Sequence, residues 1–173
     1  MWTDAARGLA ASFELSVANS ARMFAMMYLT SADSAIGCWD AKYTYKFWRP
    51  VTAIRAGGGN PSLVADPAWS SLVLTPAHPE YPSAHNCLTG ANTYALAAFF
   101  HTDDVHFTVT SNTLPSSRAF QHLSDARQEV IDARVWSGIH YRISDVRGAR
   151  LGQDVARLMV EEFFQPIDGH QEG

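Results

Sequence analysis

A run of apolar residues at helical spacing between Phe13 and Phe47 is the feature that most constrains the fold. The spacing, three or four residues with one step of two, predicts one long helix or two helices in close succession. The helical segment should end near Arg49, because Pro50 lacks a backbone N–H and disfavours helical geometry in the residue before it. The residues that carry the pattern are Phe24, Met27, Leu29, Ala32, Ile36, Trp39, Tyr43 and Phe47.

Three later segments are also predicted to be helical. Residues 83–101 are apolar on nearly all sides, which is typical of a helix at the centre of a bundle. The segment that starts at Ser116 should form a helix ending near the Ser137-Gly138 pair, and a last helix should run from about Ser144 to Phe164. Four or five main helices favour an all-α helical bundle as the fold class.

Strand and linker signals are sparse. Residues 104–113 could form a short strand or an extended loop, and the stretch from Gly57 to Pro82 is rich in loop signals. The 173 residues contain no internal repeat and no low-complexity linker. We therefore expect one helical domain, residues 1–173, that carries the functional site.

Charge and composition narrow the classes of function. A net charge of −4 argues against a general nucleic-acid-binding protein. Cys38 and Cys87 make neither a metal-type cluster nor a disulfide framework, and we interpret both as buried small apolar residues. The N-terminus has no basic start followed by an apolar run, and no apolar run is long enough to span a bilayer. We expect a soluble protein without a membrane partner, cytoplasmic by default, although the sequence does not identify the compartment.

The first segment with candidate chemistry is KYTYKFWRP, residues 42–50. Lys42 and Arg49 stand seven residues apart, two helical turns, so one face of the helix presents both cations and both could reach a single anion. Lys46 lies on roughly the same face and is an alternative to Lys42. A solvated cationic stripe at a helix C-terminus, where positive charge is favourable, is the other interpretation.

The second segment is YPSAHN, residues 81–86, where a proline precedes Ser83 at the predicted start of a helix. The first backbone N–H groups of that helix, near Ala84 and His85, have no intrahelical acceptor and can donate to an oxyanion. The Ser83 hydroxyl adds a further donor. The alternative is a capping serine beside a partly buried histidine.

The third segment is ARVWSGIHYRISD, in which Arg134 stands six residues before His140. An unbroken helix would turn these two side chains about 120° apart, but the Ser137-Gly138 pair should end the helix and let the chain fold back. Convergence of the two side chains is then feasible. Taken separately, Arg134 could be a surface charge and His140 a satisfied histidine at a helix junction.

Together the three segments resemble the signature shared by vanadium-dependent haloperoxidases and type 2 phosphatidic acid phosphatases. Lys42, six residues and Arg49-Pro50 match its first part at full spacing. The stretch PSAH matches Pro-Ser-Gly-His in three of four positions, and Arg134, five residues and His140 match the third part. The matching region runs from about Lys42 to Asp145, over half of the chain.

The resemblance implies a site for tetrahedral vanadate as the cofactor, with phosphate as an alternative occupant. Lys42, Arg49 and Arg134 would neutralise the equatorial oxygens, and the two arginines could bond them in a bidentate way. Ser83 and the Ala84 N–H would complete the set of donors.

The resemblance also assigns roles to the two histidines. His140 would bond vanadium through one ring nitrogen in a peroxidase, or attack phosphorus as the nucleophile in a phosphatase. His85 would be the acid/base that moves a proton to or from the apical oxygen. Two positions depart from the pattern: Ala84 replaces the usual glycine, and Ser144 occupies the place of an acidic residue. Asp145, one position later, either orients His140 or is a negative charge in the first turn of the last helix.

Several features are more similar to the haloperoxidase branch than to membrane lipid phosphatases, namely the stretches WDAKYTYKFWRPVTAIR and GIHYR and the lack of transmembrane segments. Bromide-using members carry a histidine seven residues before the motif histidine, where chloride-using members carry phenylalanine. His78 occupies that position here. The resemblance therefore implies bromide or iodide rather than chloride, with His78 and Trp48 as candidate halide-site residues.

Three functional hypotheses follow. The first is a vanadate-dependent haloperoxidase whose small-molecule substrates are hydrogen peroxide and halide. The second is a soluble acid phosphatase acting on a phosphate ester, with His140 as nucleophile and His85 as proton donor. The third is an anion-binding relative without turnover. Because haloperoxidases of this family are much longer and build two helical bundles, apolar helix faces should be exposed here unless the chain pairs with itself, so we expect a homodimer.

Overall fold

The computed structural model describes residues 1–111 and 115–165, and its main elements in this part of the chain are six α-helices and one β-hairpin. A short 3₁₀ turn at Gly57–Gly59 lies in the loop after α3. The elements are α1 (Trp2–Ser12), α2 (Val17–Tyr45), α3 (Pro50–Arg55), α4 (Ala84–Phe100), β1 (Asp104–Thr110), β2 (Ser117–His122), α5 (Leu123–Trp136) and α6 (Arg142–Phe163).

The long apolar pattern forms α2, preceded by the separate helix α1. Ser16 caps the start of α2, where its side chain accepts a hydrogen bond from the Asn19 N–H at 3.2 Å. The helix ends at Tyr45, and Lys46 follows in the left-handed conformation with φ of 48°. Pro50 then opens α3, a first-turn position that tolerates proline. The helix was expected to end near Arg49 but ends at Tyr45, so Arg49 does not lie on the helix face that presents Lys42, and that prediction is corrected.

Helix α4 lies at the centre of the bundle, as the apolar character of residues 83–101 predicts. It packs against α2, α5 and α6, and most of its side chains between Ala84 and Leu96 are buried. Its contact with α6 depends on glycines, because a Cβ at Gly148 would lie 2.6 Å from the Ser83 carbonyl oxygen. The close approach brings the first turns of α4 and α6 together, and both turns contribute to the candidate site.

The β-hairpin corrects one predicted boundary. The helix expected from Ser116 begins only at Leu123, because Ser117–His122 form β2 and pair antiparallel with β1. Phe107 and Phe120 are opposite each other in the ladder, with ring centroids 5.3 Å apart. This cross-strand packing favours the extended conformation over the helix. Of residues 104–113, the structure confirms a strand over Asp104–Thr110, whereas residues 112 and 113 lie outside the described part.

The apolar core joins α1, α2, α4, the hairpin and the start of α5 around Leu9, Met23, Leu96, Val105 and Leu123. None of the helices in the described ranges combines the length and apolarity needed to cross a bilayer. The all-α class is confirmed, with the hairpin as its one addition in these residues. The assignment of residues 1–173 to one domain remains a prediction.

Candidate functional site

Lys42, on the last turn of α2, is fully buried despite its charge. Its Nζ donates to the carbonyl oxygens of Pro79 at 2.8 Å and Glu80 at 3.1 Å, which ties α2 to the loop before α4. Desolvation lowers the pKa of Lys42 to about 8, so the side chain remains mainly charged at pH 7. Lys46, the alternative from the sequence, is exposed. Lys42 is therefore the lysine that enters the site.

Arg49 connects the first segment to the third. Its buried guanidinium donates from Nη1 to the Ile139 carbonyl oxygen at 2.8 Å, and Nη1 also lies 3.1 Å from His140 Nε2. Nε donates to the His78 carbonyl oxygen at 3.2 Å. Desolvation lowers the pKa of Arg49, and the charge of Arg134 lowers it further. These contacts bring Arg49 of the first segment beside His140 of the third.

Glu80 orients His140, a contact that the sequence analysis did not anticipate. Glu80 is fully buried, and its Oε1 accepts hydrogen bonds from His140 Nδ1 at 2.7 Å and from the Tyr141 N–H at 3.0 Å. Its Oε2 accepts from Ser144 Oγ at 2.5 Å. Burial alone would raise the pKa of Glu80, but these hydrogen bonds lower it, so the carboxylate stays ionised.

The carboxylate of Glu80 determines the chemical state of His140. Because Nδ1 carries the proton donated to Glu80, Nε2 holds the ring lone pair and faces Arg49 Nη1. Desolvation lowers the pKa of His140 to about 4, so the ring is neutral at pH 7. A buried, neutral imidazole with one oriented lone pair can bond a metal or act as a nucleophile.

Ser83 and Ala84 stand at the N-terminus of α4, as predicted. Ser83 is the N-cap residue, but its hydroxyl makes no capping hydrogen bond and instead accepts from Asn86 Nδ2 at 3.2 Å. Its backbone N–H donates to the Ser144 carbonyl oxygen at 3.0 Å, which links α4 to α6. The interpretation of Ser83 as a simple capping serine is therefore wrong. The amide groups of Ala84 and His85 are in the first turn, where helix geometry provides no acceptor.

Asp145 does not contact His140 through any hydrogen bond of the described residues. Its Oδ1 accepts from Asn86 Nδ2 at 2.8 Å, and the residue lies fully buried in the first turn of α6. Successive helical side chains diverge by about 100°, so Asp145 points away from the side on which Ser144 meets Glu80. The orienting role proposed for Asp145 is thus corrected in favour of Glu80. Burial raises the pKa of Asp145 to about 7.

Arg134 and His85 complete the set of motif residues. Arg134 lies on the last turn of α5, and its Nε is buried without a hydrogen-bond partner among residues 1–111 and 115–165. His85 lies on the first turn of α4 and is exposed. Desolvation and then the charge of Arg134 lower the pKa of His85 to about 4, so its ring is neutral at pH 7 and lies in the field of the arginine.

The two halide-site candidates are in different surroundings. His78 Nδ1 lies 3.2 Å from Arg49 Nη2, and its ring packs against Trp39 with centroids 5.5 Å apart. Trp48 instead lines an apolar cavity of about 530 Å³ together with Phe47 and Tyr141. The structure therefore brings His78 to the cationic site, with Trp39 rather than Trp48 as its aromatic neighbour.

The donors of this site fit a tetrahedral oxyanion. The buried Nε of Arg134 lacks an acceptor, which an anion oxygen would supply. In the described part of the chain, no group of three His, Cys, Asp or Glu side chains could hold a metal cation. A vanadium centre would have to enter as an oxyanion held by cations, with His140 Nε2 as the bonding nitrogen. The residues present therefore fit vanadate better than a simple metal ion.

The described residues thus form a helical bundle in which buried cations lie beside one oriented histidine. The chain belongs to the family described as the VCPO second helical-bundle domain, whose model matches residues 22–169. Within the superfamily of vanadium-dependent haloperoxidases and type 2 phosphatidic acid phosphatases, the chain lies on the haloperoxidase branch.

Three relatives show the similarity. Vanadium chloroperoxidase from Curvularia inaequalis is 33% identical over 91 residues, which cover 47% of this chain and 15% of that enzyme. A bacterial vanadium-dependent iodoperoxidase superposes with a TM-score of 0.82 at 28% identity, covering 90% of this chain and 37% of that one. The holo form of a bacterial vanadium-dependent chloroperoxidase has a TM-score of 0.66 at 26% identity, covering 79% and 34%. The chain thus spans about one third of the length of these solved structures.

Proposed function

We propose that the protein is a vanadate-dependent haloperoxidase-like enzyme that oxidises bromide or iodide with hydrogen peroxide. The observation that carries the proposal is the state of His140, whose Nδ1 donates to Glu80 at 2.7 Å while the Nε2 lone pair faces the cationic site. Membership of the family supports it. The chain spans only about a third of the length of its solved relatives. That it carries out the reaction of such longer enzymes is therefore a proposal.

The chain's own residues would bind and orient the cofactor. Lys42, Arg49 and Arg134 would balance the negative charge of vanadate, and the Arg134 Nε would gain its missing acceptor. Ser83 and the Ala84 amide would donate to further oxygens at the N-terminus of α4. Bound vanadate would supply Lewis-acid activation of hydrogen peroxide toward halide.

His85 is the proposed acid/base. With its pKa lowered to about 4, the ring is neutral between pH 5 and pH 8 and is ready to accept a proton from hydrogen peroxide. Its exposure gives solvent access for the proton to leave. Replacement of His85 by Gln should therefore leave anion binding nearly unchanged and lower kcat by roughly 10²-fold or more.

His78 is the residue that we propose for the halide preference. Its ring lies beside the Arg49 guanidinium and against Trp39, where a large polarisable anion would meet a cation and an aromatic edge together. The relative with the TM-score of 0.82 is an iodoperoxidase, which supports a preference for the larger halides. Trp48 remains a candidate from the sequence only, because its side chain lines the separate apolar cavity.

The test is halogenation of a phenol-red-type dye by the purified chain with and without vanadate. We expect vanadate-dependent turnover with bromide and iodide, a slower rate with chloride, and loss of turnover in His140→Ala. His106→Ala, which removes an exposed histidine on β1, is the matched control and should behave like the unaltered protein. Absence of vanadate-dependent turnover with every halide would rule out the proposal for this chain.

The second candidate function is a soluble acid phosphatase, because the same neutral Nε2 could attack phosphorus. Hydrolysis of an aryl phosphate that vanadate inhibits and His140→Ala abolishes would select it. Phosphate binding in calorimetry, with no activity toward halides or phosphate esters, would select the anion-binding relative without turnover.

We also propose that the protein is a homodimer that pairs through one face of α2. Leu29, Ile36 and Tyr43 follow one another at intervals of seven residues, about two helical turns, and all are about half exposed or more. Trp39 and Tyr28 widen this strip. An apolar strip of this length on a 29-residue helix is suited to packing against the α2 helix of a second copy.

A further inference from the structure

Two cysteines, which the proposed function does not use, meet between α2 and α4. Cys38 Sγ lies 2.7 Å from Cys87 Sγ, closer than two sulfur atoms approach in van der Waals packing. Both thiols are free, and both residues are fully buried. The chain contains two cysteines in all, so any intramolecular disulfide must join this pair.

We propose that Cys38 and Cys87 are a modification site, a dithiol pair that hydrogen peroxide converts to a disulfide joining α2 to α4 beside the oxyanion site. The sequence alone suggests only two small buried residues at these positions. The inference goes beyond the haloperoxidase proposal, because the oxidation needs peroxide but neither vanadate nor halide.

The backbone around the pair already holds the sulfurs in place. A disulfide bond is about 2.0 Å long, so the sulfurs need to approach by only about 0.7 Å, which small side-chain rotations supply. Ser34, one turn before Cys38, donates from Oγ to the Cys87 carbonyl oxygen at 3.0 Å, and this bond fixes the two helices against each other. The two sulfurs therefore have only a short distance left to close.

The surroundings distinguish the two thiols. The hydrogen bond from Cys87 lowers the pKa of Cys38, and the charge of Lys42, one helical turn away, contributes in the same direction. The pKa of Cys87 is raised, first by its hydrogen bond to Cys38 and then by burial. Since the thiolate is the nucleophile, Cys38 is the attacking group and Cys87 the resolving one.

Oxidation of the pair consumes one molecule of hydrogen peroxide. The Cys38 thiolate attacks one peroxide oxygen, the O–O bond breaks, and the released hydroxide takes up the proton lost by the Cys38 thiol to become water. The sulfur of Cys87 then attacks the Cys38 sulfenic acid. The S–S bond forms, and the sulfenic hydroxyl leaves with the Cys87 proton as a second water. Two thiols lose two electrons in total, and the peroxide is reduced to two waters.

The disulfide would act directly on the geometry of the site. Cys38 lies one turn before Lys42 on α2, and Cys87 lies one turn after Ser83 on α4, with the Cys87 N–H donating to the Ser83 carbonyl oxygen at 3.0 Å. A covalent link at this level would fix the spacing between the helix that carries the buried lysine and the helix whose N-terminus would bind the anion.

Thiol counting on the full chain tests the proposal. The reduced native protein is treated with hydrogen peroxide, quenched with catalase, unfolded in guanidinium, alkylated with N-ethylmaleimide and weighed by intact mass spectrometry. We expect two adducts before peroxide and none after, on a protein that remains monomeric in non-reducing electrophoresis, and two adducts again after reduction. The oxidised protein should also have the higher Tm, because the link restricts the unfolded chain between residues 38 and 87.

Two serine variants test the order of attack. In Cys87→Ser, peroxide should convert Cys38 to a sulfenic acid that dimedone traps, whereas Cys87 in Cys38→Ser should react more slowly. Equal reactivity of the two thiols would overturn the assigned order. Two adducts that persist in excess peroxide, oxidation to sulfinic acid, disulfides only between chains, or a lower Tm after oxidation would overturn the proposal itself. Thiol counting needs no vanadate, so its result is independent of whether halogenation is found.

Discussion

Glu80 Oε1 accepts a hydrogen bond from His140 Nδ1 at 2.7 Å, although sixty residues of chain separate the two side chains. The contact connects the loop before α4 to the turn between α5 and α6. Ser144, which stands in the place of the acidic residue of the motif, donates to the other carboxylate oxygen. The carboxylate that orients the histidine is therefore present here on a different segment, and Ser144 helps to hold it.

Replacement of Glu80 by Gln should weaken vanadate binding about 10- to 100-fold, because loss of a carboxylate partner loosens the orientation of a ligating histidine. The amide retains the size of the side chain, so the fold should persist, which far-UV circular dichroism checks. Calorimetric titration with vanadate measures the effect. The matched control is Glu129→Gln, which removes a carboxylate paired with Arg118 at the surface. A Kd within twofold of the original protein would contradict the orienting role.

Replacement of Asp145 by Asn should increase the stability of the protein at neutral pH but not at pH 4. Burial raises the pKa of Asp145 from 3.8 to about 7. The folded state therefore holds the proton more tightly than the unfolded state, and ionisation destabilises the fold as the pH rises from about 4 to 7. Because each tenfold difference in proton affinity corresponds to about 1.4 kcal/mol, the penalty at pH 7 is at most about 4 kcal/mol.

Urea unfolding of both proteins between pH 4 and pH 7.5 measures this difference. His85 and His140, whose pKa values are lowered to about 4, change the stability in the opposite direction. The fold holds both rings neutral, so the protein loses stability as the pH falls from about 6.5 toward 4. Both proteins share that contribution, so it cancels in the comparison. A difference in unfolding free energy that does not change with pH would show that folding leaves the pKa of Asp145 unchanged and would contradict the effect of burial.

Replacement of Gly152 by Ala should destabilise the protein by about 3 kcal/mol, since overpacking at a rigid contact moves backbone. A Cβ at this position would meet the backbone of Cys87 and, at 2.7 Å, the Ala91 nitrogen, so α6 would have to move away from α4. Gly8→Ala is the control, because a Cβ there meets nothing within 4 Å. That change should stabilise α1 by about 0.5–1 kcal/mol. Similar urea midpoints for the two variants would contradict the close packing of α4 on α6.

Replacement of Ile36 by Glu should convert the homodimer to a monomer. The side chain is 69% exposed and lies at the middle of the strip formed by Leu29, Ile36 and Tyr43. A charge there would be desolvated in a paired interface. Light scattering coupled to size exclusion measures the mass, and Gln121→Glu, which adds the same charge on the exposed part of β2, should remain dimeric. A monomer before any substitution would refute the proposed pairing.

The approach of the third segment to Arg49 could be predicted, because the Ser137-Gly138 pair ends α5 and lets the chain fold back. The shared helix face of Lys42 and Arg49 was a wrong premise, since α2 ends at Tyr45 and Arg49 reaches the site from the turn before α3. The role of Glu80 could not be predicted, since the path of a loop depends on tertiary contacts such as the bonds from Lys42 to the backbone at residues 79 and 80. A carboxylate within the motif stretch HPEYPSAH was the signal that could have suggested it.

Two other sequence interpretations failed for physical reasons. Strand β2 was predicted as helix, because its pairing with β1 is a long-range contact that no local pattern carries. Asp145 was considered for the orienting role from its proximity to the motif position, but a displacement of one residue along the chain turns a helical side chain by about 100°.

The most direct test of the central claim is a crystal structure of the protein grown with orthovanadate. We expect one vanadate bonded to His140 Nε2, with Lys42, Arg49 and Arg134 contacting its oxygens and the Arg134 Nε no longer without an acceptor. His140 Nδ1 should still donate to Glu80. Vanadate bound at another place, or a site between these residues that stays empty at saturating vanadate while Arg134 points to solvent, would contradict the assignment of the oxyanion site and the function proposed from it.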